Sequence, residues 1–230
     1  MSLSLTEYNK FISAHPAIPA EDPNAQLVKK VGKNIQLAVE KFMSANKKYK
    51  SRIAGYNWQF NLVKEDKTIN AWCMPGGKVV VYSGLLPVTQ NETALAVVMG
   101  HEIAHAIARH GNERMSQGLA IQTGAAVLSV ALSTQSKTSQ DLFNQSYGAA
   151  SNLGILAYSR KHELEADKLG LVFMAMAGYN PSEAVSFWER MSKATSNSDF
   201  SLLSTHPSDA KRIVEIRNFL PQAMKYYKKL

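Results

Sequence analysis

The sequence GHEIAHAIARHG, residues 100–111, lies within an apolar stretch and carries two histidines four positions apart, with a glutamate directly after the first. Side chains four positions apart lie on the same face of an α-helix, so His101 and His105 can direct ring nitrogens to one point. Glu102 projects roughly 100° around the helix and can reach a water bound to a metal at that point. Because two buried imidazoles need polar partners and a metal satisfies both, this stretch predicts a metal centre.

The helix that carries these histidines has signals at both ends and a β-sheet signal before it. Residues Thr89-Gln90-Asn91-Glu92 have the form of a capping box with the threonine as the cap, and Gly111 is expected to end the helix. Short β-type runs at residues 58–63 and 78–82 flank Pro75-Gly76-Gly77, which is a strong turn sequence. The pattern predicts a small sheet beside the histidine helix.

Helical patterns account for most of the remaining sequence. Amphipathic helices are predicted at about residues 24–46, 146–177 and 208–219, and another begins near Asn180-Pro181-Ser182-Glu183. The predicted apolar face of the 208–219 helix consists of Ile213, Val214, Ile216 and Phe219. Residues 119–133 are apolar but too short for a membrane span, which favours a buried helix over a membrane-touching segment. A polar loop is expected at residues 133–141.

The composition is that of a folded protein. With 230 residues, 45% apolar and 19% charged, we expect one domain over residues 1–230, with a helical leader to about residue 50 and a core at about 51–220. The single cysteine, Cys73, excludes an intrachain disulfide, and the start MSLSLTEYNKF lacks the features of a secretory signal. The net charge of +8 comes from scattered basic residues, so we expect no nucleic-acid partner, while attraction to acidic lipid remains open.

A catalytic zinc ion needs a third protein ligand, and the acidic residues of the 146–177 helix are the strongest candidates. Glu163 and Asp167 are four positions apart, share a helix face and have small and apolar neighbours. A solvated charged stripe is the competing interpretation, which these neighbours disfavour. If Glu163 binds the metal, Asp167 can accept the outward N–H of a ligand histidine and fix its tautomer.

The other histidines differ in what the sequence suggests for them. His206 stands just before Pro207 in a polar loop, from which its side chain could reach a pocket. His162 is expected to point elsewhere, and His110 to lie on the surface at the frayed end of the first helix. His15 belongs to the N-terminal leader, which shows no clear pattern there.

With these residues in place, the chain resembles the zinc peptidase family that includes the CAAX prenyl proteases, HtpX and the bacterial envelope protease BepA. The resemblance covers about residues 60–217 and rests on four motifs in the right order. The motifs are Asn70-Ala71-Trp72 followed by Pro75-Gly76-Gly77 and Gly84-Leu85-Leu86, then His101-Glu102-x-x-His105, Ser159-Arg160-x-x-Glu163-x-x-Ala166-Asp167, and Thr205-His206-Pro207. The resemblance implies an α+β fold, a mainly helical zincin-like metallopeptidase domain with a small β-sheet beside the helix of the His-Glu-x-x-His motif.

The resemblance also implies roles for the motif residues. His101, His105 and Glu163 would bind one zinc ion per chain, and Glu102 would be the general base. His206 would be a fourth ligand that occupies the position water needs, so the resting enzyme would be self-blocked; once displaced, it could donate a hydrogen bond during catalysis. Two imidazoles and a carboxylate also suit other divalent ions.

The same resemblance suggests a substrate and a location. An extended polypeptide would add as a strand beside Asn70 and Ala71, which favours unfolded or loosely folded chains. Trp72 stands where phenylalanine is usual in the family, a change that leaves the strand intact and alters a pocket. Because no transmembrane span is visible, the soluble exported branch fits better, in the bacterial cell envelope, periplasmic or lipid-anchored after removal of a leader. The oligomeric state is not predicted.

The leading hypothesis is a zinc-dependent endopeptidase of protein quality control. A small-substrate metal amidase is one alternative, and it would need a closed pocket in place of a strand-lined groove. A zinc-stabilised, chaperone-like binding module, with catalysis suppressed by His206, is another. A purely structural zinc site is disfavoured because closed sites rarely use a glutamate ligand.

Overall fold

Helices dominate the computed structural model, which describes residues 2–45, 50–123, 137, 158–194, 202–206 and 210–228. In chain order the helices are α1 (Ser2–Ala14), α2 (Pro23–Ser44), α3 (Leu86–Thr89), α4 (Glu92–Ala108), α5 (His110–Thr123), α6 (Arg160–Met176), α7 (Glu183–Ala194), α8 (Leu202–Thr205) and α9 (Ala210–Ala223). Short 3-10 turns lie at Ser51–Ile53, Ser83–Leu85 and Met224–Tyr226. None of the helices in these ranges is both long and apolar enough to cross a bilayer.

Within the same residues, three strands form a single sheet: β1 (Gln59–Val63), β2 (Ala71–Met74) and β3 (Lys78–Tyr82). Strand β3 lies in the centre, parallel to β1 and antiparallel to β2. The predicted turn joins β2 to β3 through Gly76 and Gly77, whose φ angles of 96° and 80° are readily adopted only by glycine. The mainly helical α+β architecture, with its small sheet beside the histidine helix, is confirmed.

The sheet separates two apolar layers. The main core lies on the face that packs against α2 and α4, and the amphipathic helix predicted at residues 24–46 is the observed α2. On the opposite face, α1 packs Tyr8 and Phe11 against Trp72, Val80 and Tyr82. Both helices of the predicted leader therefore contact the sheet, while the division into leader and core stays a prediction.

Helix α4 is the centre of the main core, and all of its residues from Ala94 to Ile107 are buried. Helix α6 packs directly on it where two glycines meet. A Cβ atom added to Gly100 would lie 3.0 Å from the carbonyl oxygen of Gly170, and one added to Gly170 would lie 2.9 Å from the amide nitrogen of His101. The two helix backbones are therefore in contact, which brings the polar side chains of both helices within reach of one another.

The start of α4 differs from the prediction. Thr89 is the last residue of the short helix α3, and Gln90 takes a left-handed conformation with φ of 64°. The cap is Asn91, whose side-chain oxygen accepts a hydrogen bond from the Ala94 amide at 2.8 Å. The capping-box prediction was wrong because α3 already includes Thr89, so the cap of α4 is Asn91, two residues later.

The end of α4 also differs from the prediction. Arg109 takes the left-handed conformation, with φ of 66°, and caps the helix. Gly111 does not end α4 because α5 begins at His110 and already includes this glycine. A single left-handed residue therefore links the two helices and turns His110 back towards α4.

The later helices follow the prediction only in part. Helix α6 begins at Arg160, where the Ser159 hydroxyl accepts from the His162 amide, so a continuous helix from residue 146 is wrong. Val214 is 50% exposed and does not belong to the apolar face of α9. Gly178 follows α6 with φ of 85°, as expected for a helix end. Residues 138–157, the 133–141 loop except residue 137, and most of 119–133 lie outside the described residues.

Candidate metal centre

Four buried side chains from three separate segments converge on one point. His101 and His105 come from α4, Glu163 from the first turn of α6, and His206 from the residue after α8. One ligand atom from each lies within 4.8 Å of every other. The structure thus brings together the three residues predicted to bind the metal and the proposed fourth ligand.

The ligand atoms of this cluster are close enough to share one ion. His105 Nε2 lies 3.0 Å from His101 Nε2, and His206 Nδ1 lies 3.2 Å from His101 Nε2 and 3.0 Å from Glu163 Oε1. Imidazole nitrogens and a carboxylate oxygen are the ligand types that zinc takes, and other divalent ions accept them also. Each of these atoms can give a lone pair to a metal, so one shared cation can replace the contacts among them. The residues present therefore fit a divalent metal ion.

Glu102 lies beside this cluster with an unusual lack of partners. Its carboxylate is buried, and Oε1 accepts no hydrogen bond within the part of the chain that the structure describes. His206 Nε2 lies 3.5 Å from Oε1. Burial raises the pKa of Glu102, although His206 and His101 oppose the shift. A buried carboxylate with a raised pKa and an open oxygen can accept a proton and later return it.

Asp167 lies against the outward nitrogen of His101. His101 Nδ1 lies 2.9 Å from Asp167 Oδ1, so the Nδ1–H donates there and Nε2 faces the cluster. Burial disfavours a charged His101, but hydrogen bonds to Asp167 and Glu163 outweigh it and raise its pKa to about 9. A metal ion bound at Nε2 would take the place of any proton on that nitrogen.

Arg212, on α9, is a member of the site that the sequence analysis missed. Its Nε and Nη2 donate to the two oxygens of Asp167 at 2.7 and 2.8 Å, and its Nη1 lies 2.8 Å from Glu163 Oε2. The guanidinium also stacks over the Trp188 ring, with Cζ 3.9 Å from the ring centroid. A signal was available, because Arg212 lies four positions before Ile216 and therefore shares the apolar face of its helix.

His110 is buried, and its predicted surface position is wrong. Its Nδ1 lies 3.0 Å from His105 Nδ1, and its Nε2 lies 3.4 Å from Glu165 Oε2. The ring stacks on His162 with centroids 4.5 Å apart. The prediction failed because it treated His110 as the frayed end of α4, whereas the left-handed turn places it at the start of α5, folded back on the cluster.

The two remaining histidines stay away from the cluster. His162 Nε2 lies 3.2 Å from Glu113 Oε2, so its ring does point elsewhere. His15 stacks on Phe11 at the end of α1, with ring centroids 4.4 Å apart.

Ala71 is the first residue of β2, an edge strand of the sheet, and Asn70 directly precedes it. The Asn70 carbonyl accepts from the Tyr82 amide of β3, so the backbone groups of Ala71 face the outer edge. The strand is nevertheless covered, since Ala71 is only 2% exposed. Trp72 lies on the face of the sheet that α1 covers, where its ring packs edge-on against Phe11 with centroids 5.0 Å apart.

The segment that carries His206 is tied to three neighbouring elements by hydrogen bonds. The Leu202 amide donates to the carbonyl of Ile69, just before the edge strand, at 2.8 Å. The Tyr158 amide donates to the Thr205 carbonyl at 3.0 Å, and Arg212 Nη1 donates to the His206 carbonyl at 3.3 Å. His206 is thus held in place by the same arginine that binds Asp167.

The sequence of this chain, taken with the site, identifies its family. Residues 30–220 match peptidase family M48. The chain belongs to peptidase family M48. This M48 chain is similar to proteins named mitochondrial metalloendopeptidase OMA1: it is 37% identical to that of Schizosaccharomyces pombe over 175 residues, which cover 75% of this chain and 50% of the relative. The Arabidopsis thaliana protein of the same name is 35% identical over 183 residues, which cover 78% of this chain and 36% of the relative.

A bacterial relative of this M48 chain is the beta-barrel assembly-enhancing protease of Yersinia pestis. It is 32% identical over 166 residues, which cover 70% of this chain and 34% of the relative. The chain spans half or less of the length of each of these three relatives. Family membership confirms the resemblance that the four motifs indicated.

Arg212→Met should destabilise the metal-free protein by about 3–5 kcal/mol, because it leaves two carboxylates buried without their cation. Arg217→Met is the matched control, since Arg217 lies on the same helix and pairs with Glu189 at the surface, a contact that contributes at most about 1 kcal/mol. Urea unfolding at neutral pH in the presence of a chelator measures both. Equal losses in the two variants would contradict a structural role for the buried network.

Proposed function

We propose that this M48 chain is a zinc-dependent endopeptidase that hydrolyses peptide bonds of unfolded or misassembled proteins. The observation that carries the proposal is the convergence of His101, His105 and Glu163 beside the open carboxylate oxygen of Glu102. Three protein ligands and a nearby base form the arrangement that a catalytic zinc site requires. The names of the similar metalloendopeptidases support the same reaction class.

The chain's own residues divide the chemistry between them. A zinc ion held by His101, His105 and Glu163 would supply Lewis acidity, which would polarise a carbonyl and lower the pKa of a bound water to about 7. Glu102 accepts the proton of the attacking water and then donates it to the leaving amide nitrogen, which its raised pKa favours. Asp167, itself fixed by Arg212, keeps His101 in the tautomer whose Nε2 is available to the ion.

His206 blocks the site at rest in this proposal. Its Nδ1 lies among the ligand atoms, and its Nε2 lies 3.5 Å from the oxygen of Glu102 that would accept the proton. One ring thus fills the fourth ligand position and screens the base. Hydrolysis requires that His206 swing out, after which its N–H can donate to the developing oxyanion.

An extended polypeptide is the proposed substrate, and it would add along the outer edge of β2 beside Asn70 and Ala71. The outward backbone groups of Ala71 support this, because they do not take part in the pairing with β3; its N–H donates to the Asn70 side-chain oxygen at 2.8 Å, a contact that a substrate strand would replace. The low exposure of this edge means that its cover must move before a substrate strand can pair. Such binding selects chains that can offer an unpaired strand, which suits quality control.

A bacterial cell envelope is the proposed location, in the periplasm or on a lipid anchor. The Yersinia pestis relative named for beta-barrel assembly supports it, and the net charge of +8 suits peripheral contact with anionic lipid. The relatives named as mitochondrial are the alternative precedent.

A chaperone-like binding module is the second candidate function, and the position of His206 against both the ligands and Glu102 is the observation that favours it. In that case zinc would stabilise the fold and the chain would hold unfolded proteins without cutting them. The geometry of the cluster, among the residues that the structure describes, gives no support to a small-substrate amidase.

Metal content tests the ligand assignment. We expect about one zinc per chain in the native protein and a sharp loss in Glu163→Ala, because a ligand carboxylate is removed. Glu215→Ala, which removes an exposed carboxylate from α9, is the control and should retain the metal. Elemental analysis after dialysis provides the measurement, and an unchanged zinc content in Glu163→Ala would refute the assignment.

Casein hydrolysis tests the role of Glu102. Glu102→Gln keeps the shape of the side chain but cannot take the proton, so we expect a loss of at least about 100-fold in rate with zinc retained. Glu92→Gln, at the start of the same helix, should cleave like the native protein. If neither the native chain nor Glu102→Gln cleaves casein and both still suppress aggregation, the binding module replaces the protease.

His206→Ala should raise the rate of casein hydrolysis, because it removes the ring that fills the fourth position. If the open arrangement is a minor state of about 10% or less, removal of the block increases the rate by about tenfold or more. Thr205→Ala, in the same segment, leaves the ring in place and is the control. A rate for His206→Ala below that of the native chain would mean that His206 contributes more to catalysis than to the block.

A further inference from the structure

We propose that His110 is a positioning residue that holds His105 for metal binding by accepting a hydrogen bond from its outward nitrogen. This inference rests on the metal centre of the proposed function and assigns a role to a histidine that lies outside the four ligand residues. Its physical basis is the geometry between the two imidazole rings.

The orientation of His105 fixes which nitrogen carries a proton. His105 Nε2 faces the cluster, 3.0 Å from His101 Nε2 and 3.3 Å from Glu163 Oε1. When Nε2 gives its lone pair to a metal, the remaining ring proton must be on Nδ1. The partner of Nδ1 is His110 Nδ1, at 3.0 Å. Since two lone pairs or two protons cannot face each other, His105 donates and His110 accepts.

This contact determines the tautomer of His110, and a second contact, at Nε2 of the same ring, supports the same assignment. With Nδ1 accepting, the proton of His110 is on Nε2, which points at Glu165 Oε2, 3.4 Å away. The ring is 2% exposed and lies nearly parallel to His162, at an interplanar angle of 25°. His162 is held in turn by Glu113. His110 therefore has a fixed ring plane and a carboxylate that selects its tautomer.

The two ligand histidines are thus supported in different ways. Asp167 accepts from His101 as a carboxylate that Arg212 holds, whereas His110 accepts from His105 as a neutral imidazole. Both arrangements fix the ring and its tautomer, and loss of such a partner typically weakens metal binding by about 10–100-fold. The left-handed turn at Arg109 makes the second arrangement possible, because it returns the chain to His105 within one residue.

Two substitutions of His110 separate the hydrogen bond from the packing. His110→Leu fills space but cannot accept a hydrogen bond, whereas in His110→Asn the side-chain oxygen occupies the place of Nδ1, one bond from Cγ in both residues. Neither variant keeps the ring, so a difference in zinc affinity between them measures the effect of the hydrogen-bond acceptor alone. His15→Asn removes a histidine far from the site and controls for adventitious metal binding.

Zinc affinity is measured by competition with a chromophoric chelator, alongside thermal unfolding of the metal-free proteins and the visible spectrum of the Co2+ forms. We expect His110→Leu to raise the Kd for zinc by about 10–100-fold and to shift the Co2+ bands, with a metal-free Tm near that of the native chain. His110→Asn and His15→Asn should bind zinc like the native chain and give its Co2+ spectrum.

Unchanged affinity in His110→Leu would overturn the inference while leaving the metal centre intact, and so would equal weakening in His110→Leu and His110→Asn. Failure of the native chain to bind zinc would instead remove the metal centre itself. Should His110→Leu fail to fold, histidine 15N NMR of the zinc-loaded native chain decides the matter. A solvent-protected Nδ1–H on His105 with an Nε2–H tautomer of His110 supports the inference, and an Nδ1–H tautomer of His110 overturns it.

Discussion

The direct contact between the backbones of α4 and α6 is the constraint on which the site depends. Gly100 and Gly170 leave no room for a Cβ atom at the crossing, so the helices approach until main-chain atoms touch. Glu163 lies in the first turn of α6, on one side of this contact, and His101 and His105 lie in α4, on the other side. A wider spacing would separate the carboxylate from the imidazoles and leave each of them buried without a partner, which is costly in an apolar core.

Buried charge in this core is tolerated because it is organised around one arginine. Burial opposes the charged form of Asp167, but Arg212 and His101 outweigh it and hold its pKa below the usual range. Burial also opposes the charge of Glu163, where His206 and hydrogen bonds from His101 and His105 lower the pKa. Arg212 contacts both carboxylates. Helix α9 therefore supplies the cation that stabilises Glu163 and Asp167 of α6 in their buried positions beside the histidines of α4.

The features that could be predicted from the sequence depend on local periodicity. His101 with His105, and Glu163 with Asp167, are each four positions apart, and a helix places such pairs on one face without further information. The turn between β2 and β3 was equally accessible, because consecutive glycines indicate positive φ. The sheet and the main helices followed from these patterns and from motif order.

The features that were missed depend on how segments meet. His110 reaches His105 only because Arg109 takes a left-handed conformation that no arginine favours, and a helix ending at Gly111 would have left His110 in solvent. Arg212 joins the site through packing of α9 on α6, which periodicity alone does not reveal. Thr89 could not serve as a cap because α3, a helix of four residues without a clear pattern, already includes it.

The placement of the ligand atoms along the chain links activity to folding. His101 and His206 are 105 positions apart and Glu163 lies between them, so an ion held by all three closes two long loops at once. No single stretch of the sequence can assemble this centre, and a nascent chain must include His206 before all the ligands can surround an ion. Under the proposed function, the chain therefore gains proteolytic activity only when it has folded. Incompletely synthesised copies of the chain cannot cleave themselves or one another.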